Sequence, residues 1–586
     1  MKQVTLGSYI FRRLKQLGID HIFGCPGDFT LNLLDYIYPE GLKWVGTCNE
    51  LNGAYAADGY ARTKGDGTPG VVITTYGVGE LSALNGIAGA YSEHVPIIHI
   101  VGTTTRAAQK ARTKIHHTLG DDGWDHTIYQ KMSEPARRAS VFLTNDATFT
   151  EEVDFVIERA YQTRHPVYLF IPMDTPDIFV PSDRLESETL NTEIINVGRE
   201  EAEGAVVDAI VTAMSSSKTG ALLVDVLSQR YGLLDQVNQI SDLWNATTFI
   251  APLAKSHYDE TKANYGGIYN GILTTEDSIK TRIEDADQVV HVGPLLSDSN
   301  TGVWTQNLSP ENSIVLHPDW ILVNGIRHDL SFVPVVKRVA RALMEKKQVL
   351  MGGNETSTSA SQNTRMHFEG RLDHARLWKC LSGHLKEDDC IVAEVGTAQY
   401  GALELRLGAR NSFLTQMFFS AIGYAVPALL GALCARREQG ASGRVLFLAG
   451  DGGLQMTVQE LGTIVRHGFS PTIVLLDNNG YTTERIIHGP TLQHNDIARW
   501  DHGLMLEFFG CQTSKYYQVR EFEELEKVFQ CPAVLESRTP QLIHLYLGEM
   551  DCPAVLVKKS RIGKERNMMA LAQSDKEFGR RRNIVQ

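Results

Sequence analysis

The stretch Arg444-Val-Leu-Phe-Leu-Ala-Gly-Asp-Gly-Gly453 joins an apolar run to three closely spaced glycines. The apolar run predicts a buried strand, and the amphipathic pattern over residues 454–465 predicts a helix. Glycines between a strand and a helix let backbone N–H groups face a phosphate, at the edge of an α/β sheet where ligands collect. Many glycine-rich turns bind nothing, so this stretch alone indicates an α/β fold and only a candidate ligand site.

A second polar loop strengthens that hypothesis. One helix and one strand further along, the apolar run 472–476 ends in Asp477-Asn-Asn-Gly480. Loops at the ends of neighbouring parallel strands lie side by side, so Asp451 and Asn478 could share a cation. An all-oxygen ligand set completed by diphosphate and water is what Mg²⁺ prefers.

The same alternation of strand and helix patterns runs through most of the chain. We predict an α/β fold of three consecutive doubly wound domains with mainly parallel, six-stranded-type sheets. A polar stretch near residue 185 and a Gly- and Ser-rich stretch near residue 355 separate the blocks. The predicted parts are a first domain at 1–182, a central domain at 195–346, a linker at 347–365, a third domain at 366–557 and a charged tail at 558–586.

Composition restricts the class of partner and the compartment. The 586 residues include 56 Lys and Arg against 69 Asp and Glu, a net charge of −13, which disfavours nucleic acid and anionic membranes. Eight scattered cysteines without a C-x-x-C pair suit free thiols in a reducing, cytoplasmic setting. The N-terminus reads as an amphipathic helix from near Thr5 rather than a signal peptide. The uncharged segment Met417–Ala435 contains Pro427 and is interpreted as a buried helix, not a membrane span.

Two features of the first block suggest acid–base chemistry. Asn49 is a plausible N-cap between a strand pattern and a helix pattern, which places Glu50 in the first helical turn, where the helix dipole stabilises a carboxylate whatever its function. His116 and His117 are adjacent, and neighbouring side chains diverge in both helices and strands. One pocket receives both imidazoles only if the backbone is irregular, so these residues alone favour an accidental pairing.

Taken together, five stretches resemble the pyruvate decarboxylase and indolepyruvate decarboxylase family of thiamine diphosphate (ThDP) enzymes over about residues 1–557. They are Phe23-Gly-Cys-Pro-Gly-Asp28, Cys48-Asn-Glu-Leu51, Tyr76-Gly-Val-Gly-Glu-Leu-Ser82, His116-His-Thr-Leu-Gly120 and Asn479-Gly-Tyr-Thr-Thr-Glu484. The GDG of the opening stretch with the later Asn478 resembles the ThDP-binding motif. The histidine pair and the Tyr-Thr-x-Glu sequence distinguish decarboxylases from other ThDP enzymes.

The resemblance implies a ThDP-enzyme fold that uses ThDP and Mg²⁺. Implied metal ligands are Asp451, Asn478 and the carbonyl of Gly480. Glu50 is implied to hydrogen-bond the aminopyrimidine ring, and the further implied cofactor contacts are Thr397, Ser420, Ile422, Asp451, Gly452, Gly453, Asn478 and Gly480. Asp28, His116, His117 and Glu484 are the implied catalytic residues that accompany Glu50.

The implied reaction is the non-oxidative decarboxylation of a small-molecule 2-oxo acid to an aldehyde and CO₂. Ser299, Phe419 and Thr483 stand where pyruvate-specific relatives usually carry larger side chains, and with Ile487 they form the candidate substrate pocket. A pocket widened for aromatic or branched acids and neutral drift with compensating neighbours both remain open.

Glu50 and Asp451 lie in blocks that cannot easily meet within one subunit, so we expect a dimer or dimer of dimers with active sites at the subunit interface. An acyloin-forming carboligase needs nearly the same residues and is the main alternative. A non-catalytic ThDP-fold scaffold is the remote one, because it predicts the loss of catalytic residues that are present.

Overall fold

A computed structural model describes residues 2–120, 124–196, 198, 200–350 (without the side chains of 347–350) and 366–565. Residues 351–365 of the linker predicted at 347–365, and the predicted tail beyond residue 565, lie outside the described residues. Each predicted block contains one large sheet, and the sheets are mainly parallel.

The first domain contains a parallel six-stranded sheet with helices on both faces. Its strands are β1 (Gln3–Thr5), β2 (His21–Gly24), β3 (Lys43–Gly46), β4 (Gly70–Thr75), β5 (Ile97–Thr103), β6 (Ala139–Phe142), β7 (Val167–Pro172) and β8 (Phe179–Pro181). Its helices are α1 (Leu6–Gln16), α2 (Leu31–Leu34), α3 (Glu50–Lys64), α4 (Val78–Ser92), α5 (Arg106–Ala111), α6 (Ile128–Ser133), α7 (Phe149–Thr163) and α8 (Asp183–Ser187). The sheet order is β3-β2-β4-β5-β7-β6, while β1 and β8 form a separate antiparallel pair. As expected from the sequence, the N-terminal helix begins after Thr5, whose hydroxyl caps it.

The central domain has a seven-stranded sheet. Its strands are β9 (Gly220–Val224), β10 (Thr247–Ile250), β11 (Tyr265–Ile268), β12 (Gln288–Val292), β13 (Ser313–His317), β14 (Trp320–Val323) and β15 (Ile326–His328). Its helices are α9 (Glu200–Ser216), α10 (Val226–Arg230), α11 (Leu234–Trp244), α12 (Asp277–Glu284) and α13 (Phe332–Leu350). The order is β11-β10-β9-β12-β13-β14-β15, and the last two strands are antiparallel additions at one edge. Helix α13 continues to Leu350, four residues past the predicted domain end at 346.

The third domain repeats the parallel six-stranded arrangement. Its strands are β16 (Cys390–Ala393), β17 (Ser412–Leu414), β18 (Val445–Gly450), β19 (Thr472–Asp477), β20 (Lys515–Val519) and β21 (Gln541–Tyr546), in the order β17-β16-β18-β19-β21-β20. Its helices are α14 (His374–Ser382), α15 (Thr397–Ala402), α16 (Ala425–Glu438), α17 (Asp451–Gln455), α18 (Glu460–Arg466), α19 (Thr482–His488), α20 (Met505–Phe508), α21 (Phe522–Phe529) and α22 (Pro532–Glu536). Residues 554–565 form a last helix, inside which the predicted tail begins.

Glycines bring α3 of the first domain against α16 of the third with no side chain between the backbones. A Cβ on Gly431 would lie 1.9 Å from the carbonyl oxygen of Ala56, and a Cβ on Gly59 would lie 2.2 Å from that of Ala428. Only glycine permits such an approach. The two helices therefore fix the relative position of the first and third domains.

Buried charges reinforce this contact. The Arg62 guanidinium bonds Asp58 at 2.5 Å and Glu93 at 2.6 Å, and all three side chains are almost fully buried. Tyr424 of the third domain donates its hydroxyl to Asp58. Separating the two domains would break this network and leave a buried charge without its partner, which is costly. The network therefore helps to hold the interface in one geometry.

The interpretation of Met417–Ala435 as one buried helix needs correction. Helix α16 is fully buried along most of its length but begins only at Ala425, with Pro427 at its third position, where a proline costs no backbone hydrogen bond. The preceding residues form an irregular segment that passes the ligand cleft. Among the described residues, no helix combines the length and the apolar character needed to cross a membrane.

Candidate active site

The ends of β18 and β19 bring the predicted metal ligands together. Asp451 is the first residue of the short helix α17, so the helix predicted over 454–465 begins three residues earlier and is divided between α17 and α18. The Asp451 carboxylate accepts the N–H of Gly452 at 3.0 Å and that of Gly480 at 2.9 Å. These bonds fix the carboxylate between the two loops.

The side chain of Asn478 completes a cluster of polar atoms suited to a cation. One atom of its amide lies 3.0 Å from the Gly480 carbonyl oxygen and 3.1 Å from Oδ1 of Asp451. If this atom is the amide nitrogen, it donates a hydrogen bond to each of the two oxygens. If it is the amide oxygen, three oxygens lie close together, and a cation would be needed to offset their mutual repulsion. With the amide oxygen on this side, Asp451, Asn478 and Gly480 offer a donor set that fits Mg²⁺, and these three residues would hold the ion.

Burial and charge at Asp451 also favour a cation. Burial, joined by the negative charge of Asp477, raises the pKa of Asp451 above its ordinary value. Burial also opposes ionisation of Asp477, but the bond from His544 holds the pKa of Asp477 below its usual range. A divalent cation beside Asp451 would compensate its buried charge.

A cleft surrounds this cluster. Two of the glycines that line it leave no room for a side chain. A Cβ on Gly452 would lie 2.6 Å from the Tyr481 ring, and one on Gly453 would lie 2.7 Å from Cγ of Glu394. The cleft is lined by Val395, Gly396, Thr397, Ile422, Gly450, Asp451, Gly452, Gly453, Asn478, Gly480, Tyr481, Thr482, Thr483 and Glu484. The cleft combines the start of helix α17, the Thr397 hydroxyl and the apolar Ile422 side chain, which suit a diphosphate joined to an aromatic ring system.

Glu50 lies at the N-terminus of α3, as its sequence context predicted. Asn49 caps the helix and accepts the N–H of Asn52 at 2.8 Å. The preceding turn is held to the third domain of the same chain by Glu460, which accepts the N–H of Cys48 at 3.1 Å and the amide of Asn52 at 2.7 Å. The half-buried Glu50 carboxylate is therefore carried on a firmly anchored turn.

The adjacent histidines share one pocket because the backbone is irregular, as their pairing required. His117 adopts a left-handed conformation with φ of 68°, and the two ring centroids are 4.6 Å apart. Nε2 of His116 bonds Oδ2 of Asp28 at 2.7 Å, and Phe29 stacks on the His116 ring. Asp28, His116 and His117 thus form one exposed cluster, and an accidental pairing is no longer the simpler interpretation.

The chain brings its predicted residues together in two groups, not one. In the part of the chain that the structure describes, no residue of the first domain lines the cleft around Asp451. Glu50, Asp28 and the two histidines lie in the first domain. A complete site would require both groups to face each other.

Comparison with known proteins resolves what the two groups belong to. Three thiamine pyrophosphate enzyme domains match in sequence: the N-terminal TPP binding domain over residues 4–127, the central domain over 207–344 and the C-terminal TPP binding domain over 394–545. Pyruvate decarboxylase from Hanseniaspora uvarum is 37% identical over 96% of this chain and 98% of its own length. Pyruvate decarboxylase isozyme 2 from Saccharomyces cerevisiae is 36% identical over 96% and 99%.

The chain belongs to the pyruvate decarboxylase family.

The same fold occurs in an X-ray structure of a Mycobacterium smegmatis protein described as thiamin diphosphate-dependent. Its TM-score is 0.69 over 93% of this chain and 99% of that one, at 18% identity. This distant likeness supports the three-domain α/β architecture. In this member of the pyruvate decarboxylase family, the two binding domains therefore correspond to the two groups of predicted residues.

Ser420, one of the implied cofactor contacts, has a backbone conformation that is unusual for serine. Its φ is 54°, in the left-handed region that favours glycine, and its hydroxyl donates to the carbonyl oxygen of Met417 at 2.6 Å. This backbone has a conformational cost, which the local hydroxyl bond partly offsets.

The four predicted pocket residues do not all lie together. Thr483 lines the cleft, and Ile487 is partly exposed one turn further along α19. The backbone N–H of Phe419 donates to Glu93 at 3.0 Å, which directs that segment toward the domain interface. Ser299 lies in the central domain beside Asp298 and does not line the cleft of its own chain.

Sequence reasoning missed Glu394, whose side chain holds the backbone of two segments beside the cleft. Its fully buried carboxylate accepts the N–H groups of Val395, Gly423 and Ala425 at 2.9–3.0 Å. Burial raises the pKa of Glu394 to about 7. An acidic residue at a strand end gives no local signal of this role, because its partners come from a distant segment.

Proposed function

We propose that the chain is a ThDP- and Mg²⁺-dependent decarboxylase that converts a 2-oxo acid to an aldehyde and CO₂. The observation that carries the proposal is the cluster of polar atoms from Asp451, Asn478 and Gly480, in a cleft that opens at the start of helix α17. Bound there, ThDP would supply the nucleophilic carbon and the electron sink that decarboxylation requires. The backbone N–H groups beside Gly452 and Gly453 would hold its diphosphate.

We further propose that a second copy of the chain completes each site. Glu50 and the cluster of Asp28, His116 and His117 belong to a domain that does not line its own cleft within the described residues. A partner's first domain placed over the cleft would bring Glu50 to the aminopyrimidine ring and the histidines above the cofactor. The sites would then form in pairs, in a dimer or a dimer of dimers.

The catalytic roles follow from the chemistry of the side chains. Glu50 would hold a proton on the aminopyrimidine ring, which favours the tautomer able to take a proton. His116 and Asp28, already bonded at 2.7 Å, form a donor–acceptor pair that can pass a proton to the product, with His117 beside them. Glu484 projects from the cleft wall and would act on the side of the departing carboxylate.

For the substrate, we propose aromatic or branched 2-oxo acids in addition to pyruvate. Thr483 lines the cleft with a side chain smaller than the isoleucine typical of pyruvate-specific relatives. A smaller wall residue leaves either space for the substrate or a cavity, and one methylene in a pocket changes discrimination by about 10–200-fold.

The experiment is aldehyde and CO₂ release from pyruvate, phenylpyruvate, indolepyruvate and a branched 2-oxo acid, with and without ThDP and Mg²⁺. Release should require both cofactors, and added aldehyde should reveal any acyloin formed instead. Thr483→Ile should lower kcat/KM for phenylpyruvate relative to pyruvate by at least about tenfold, while Thr513→Ile outside the cleft should not. Equal effects on both substrates would refute the widened pocket but not the decarboxylase activity.

A further inference from the structure

We propose that Asp477, His502 and His544 form a second metal site, for Zn²⁺ or a similar borderline transition-metal ion. One ligand atom from each of the three side chains lies within 4.8 Å of the others. The three line a cavity of about 440 Å³ that shares only Asp451 with the cofactor cleft. The site is therefore distinct from the oxygen trio that suits Mg²⁺.

The ligand type separates the two sites chemically. Two imidazoles and one carboxylate suit Zn²⁺ and its neighbours, whereas carboxylate, amide and carbonyl oxygens suit Mg²⁺. Ligand atoms around a tetrahedral Zn²⁺ are roughly 3.3 Å apart, given bonds of about 2.0–2.2 Å. The 2.7 Å contact between Nε2 of His544 and Oδ2 of Asp477 would open slightly, and His502, whose ligand atom lies within 4.8 Å of the other two, would adjust to the same spacing.

His502 gives an independent indication that the cluster can bind a ligand. The residue is 6% exposed, and its Nε2 has no hydrogen-bond partner among the described residues. A buried polar atom left without a partner costs about 1–3 kcal/mol. A metal ion in the adjoining cavity would give Nε2 of His502 a partner.

The other two ligands are already oriented by second contacts. Nδ1 of His544 bonds the Tyr516 hydroxyl at 2.9 Å, and the Tyr546 ring stacks on the imidazole with centroids 4.1 Å apart. Oδ1 of Asp477 accepts the N–H of Asn479 at 3.1 Å, which leaves Oδ2 directed at His544. Metal-binding histidines characteristically bond through their other ring nitrogen in this way, and the remaining coordination position would face the cavity.

Another cluster in the described chain, Asp28 with His116 and His117, also has metal-ligand spacing. It is exposed and belongs to the proposed catalytic machinery, so it serves as the competing explanation for any zinc bound. His467 is the matched control, because it lies in the same domain and its Nε2 also lacks a described partner.

The test measures Zn²⁺ bound to the full-length protein in the presence of ThDP and Mg²⁺, by competition with a chromophoric chelator. We expect one Zn²⁺ per subunit in the wild type and in His116→Gln and His467→Gln. His502→Gln and His544→Gln should weaken binding at least tenfold. Unchanged affinity in His502→Gln, or loss of the bound ion in His116→Gln, would overturn the proposal.

A second measurement does not depend on the folding of the buried variants. His116 is half exposed, with 54% of its side chain accessible, so His116→Gln should keep the native fold. X-ray absorption of Zn²⁺ bound to this variant should show two imidazole ligands. One imidazole or none would contradict the site, because the competing cluster retains only His117.

Discussion

Replacing Gly431 by alanine tests whether the glycine contact between α3 and α16 fixes the domains. The new Cβ would lie 1.9 Å from the carbonyl oxygen of Ala56, whereas an ordinary C···O contact is about 3.3 Å. The helices must therefore separate by about 1.4 Å. Overpacking of this kind costs about 1–3 kcal/mol, and the upper part applies here because a backbone atom cannot rotate away.

The helix propensity of alanine offsets part of that cost. Alanine is favoured over glycine in a helix by about 1 kcal/mol, so we expect a net loss of about 2 kcal/mol in unfolding free energy. The variant should also lose activity. Glu50 begins α3, the helix that the new Cβ would displace, about 9 Å from Ala56 at 1.5 Å per residue, and a 1 Å misplacement of a catalytic group can cost about 100-fold.

The assay is urea denaturation at fixed protein concentration, together with aldehyde release. Gly204→Ala is the matched control, because Gly204 lies inside helix α9 and its Cβ would meet nothing closer than 3.8 Å. This control should gain about 0.5–1 kcal/mol. If Gly431→Ala behaved like Gly204→Ala in both measurements, the argument from close backbone contact would be refuted.

Three other predictions follow from the site. Asp451→Asn should weaken ThDP binding at fixed Mg²⁺ by at least about 10–100-fold, because the loss of even an outer partner of a metal ligand has an effect of that size. Tryptophan fluorescence would follow the binding, and unchanged affinity would exclude Asp451 as a ligand. His116→Gln should lower kcat by about 100-fold or more with little change in ThDP affinity, and a purely structural role would instead weaken both. Burial raises the pKa of Glu394 to about 7 from 4.5, so its stabilising contribution is present below pH 4.5 and is lost as the pH rises to 7. Across that interval the wild type should lose about 3 kcal/mol more unfolding free energy than Glu394→Gln, and parallel pH profiles would contradict the assignment.

Local patterns in the sequence predicted the elements that carry the site. The apolar run before GDG, the asparagine cap before Glu50 and the strand before Asn478 are all encoded by neighbouring residues, and all three occur where expected. The need for an irregular backbone at the paired histidines could also be deduced, and His117 satisfies it.

Features that depend on distant contacts could not be predicted. The glycine pair at 59 and 431 has meaning only when two helices cross, and Glu394 finds its donors some thirty residues away. The antiparallel strands β14 and β15 are short runs, too short to reveal their direction. Ser420 also gives no sign of its left-handed backbone, because serine rarely adopts that conformation.

The amide of Asn478 has a practical consequence for handling the protein. With its nitrogen toward Asp451 and Gly480 the amide closes the loop by hydrogen bonds, and with its oxygen there it would ligate the proposed Mg²⁺. Loading therefore needs the rotation of one side chain rather than the refolding of a loop. Dialysis against a chelator should yield a stable apoprotein, and simple addition of Mg²⁺ and ThDP should reconstitute it without any annealing step.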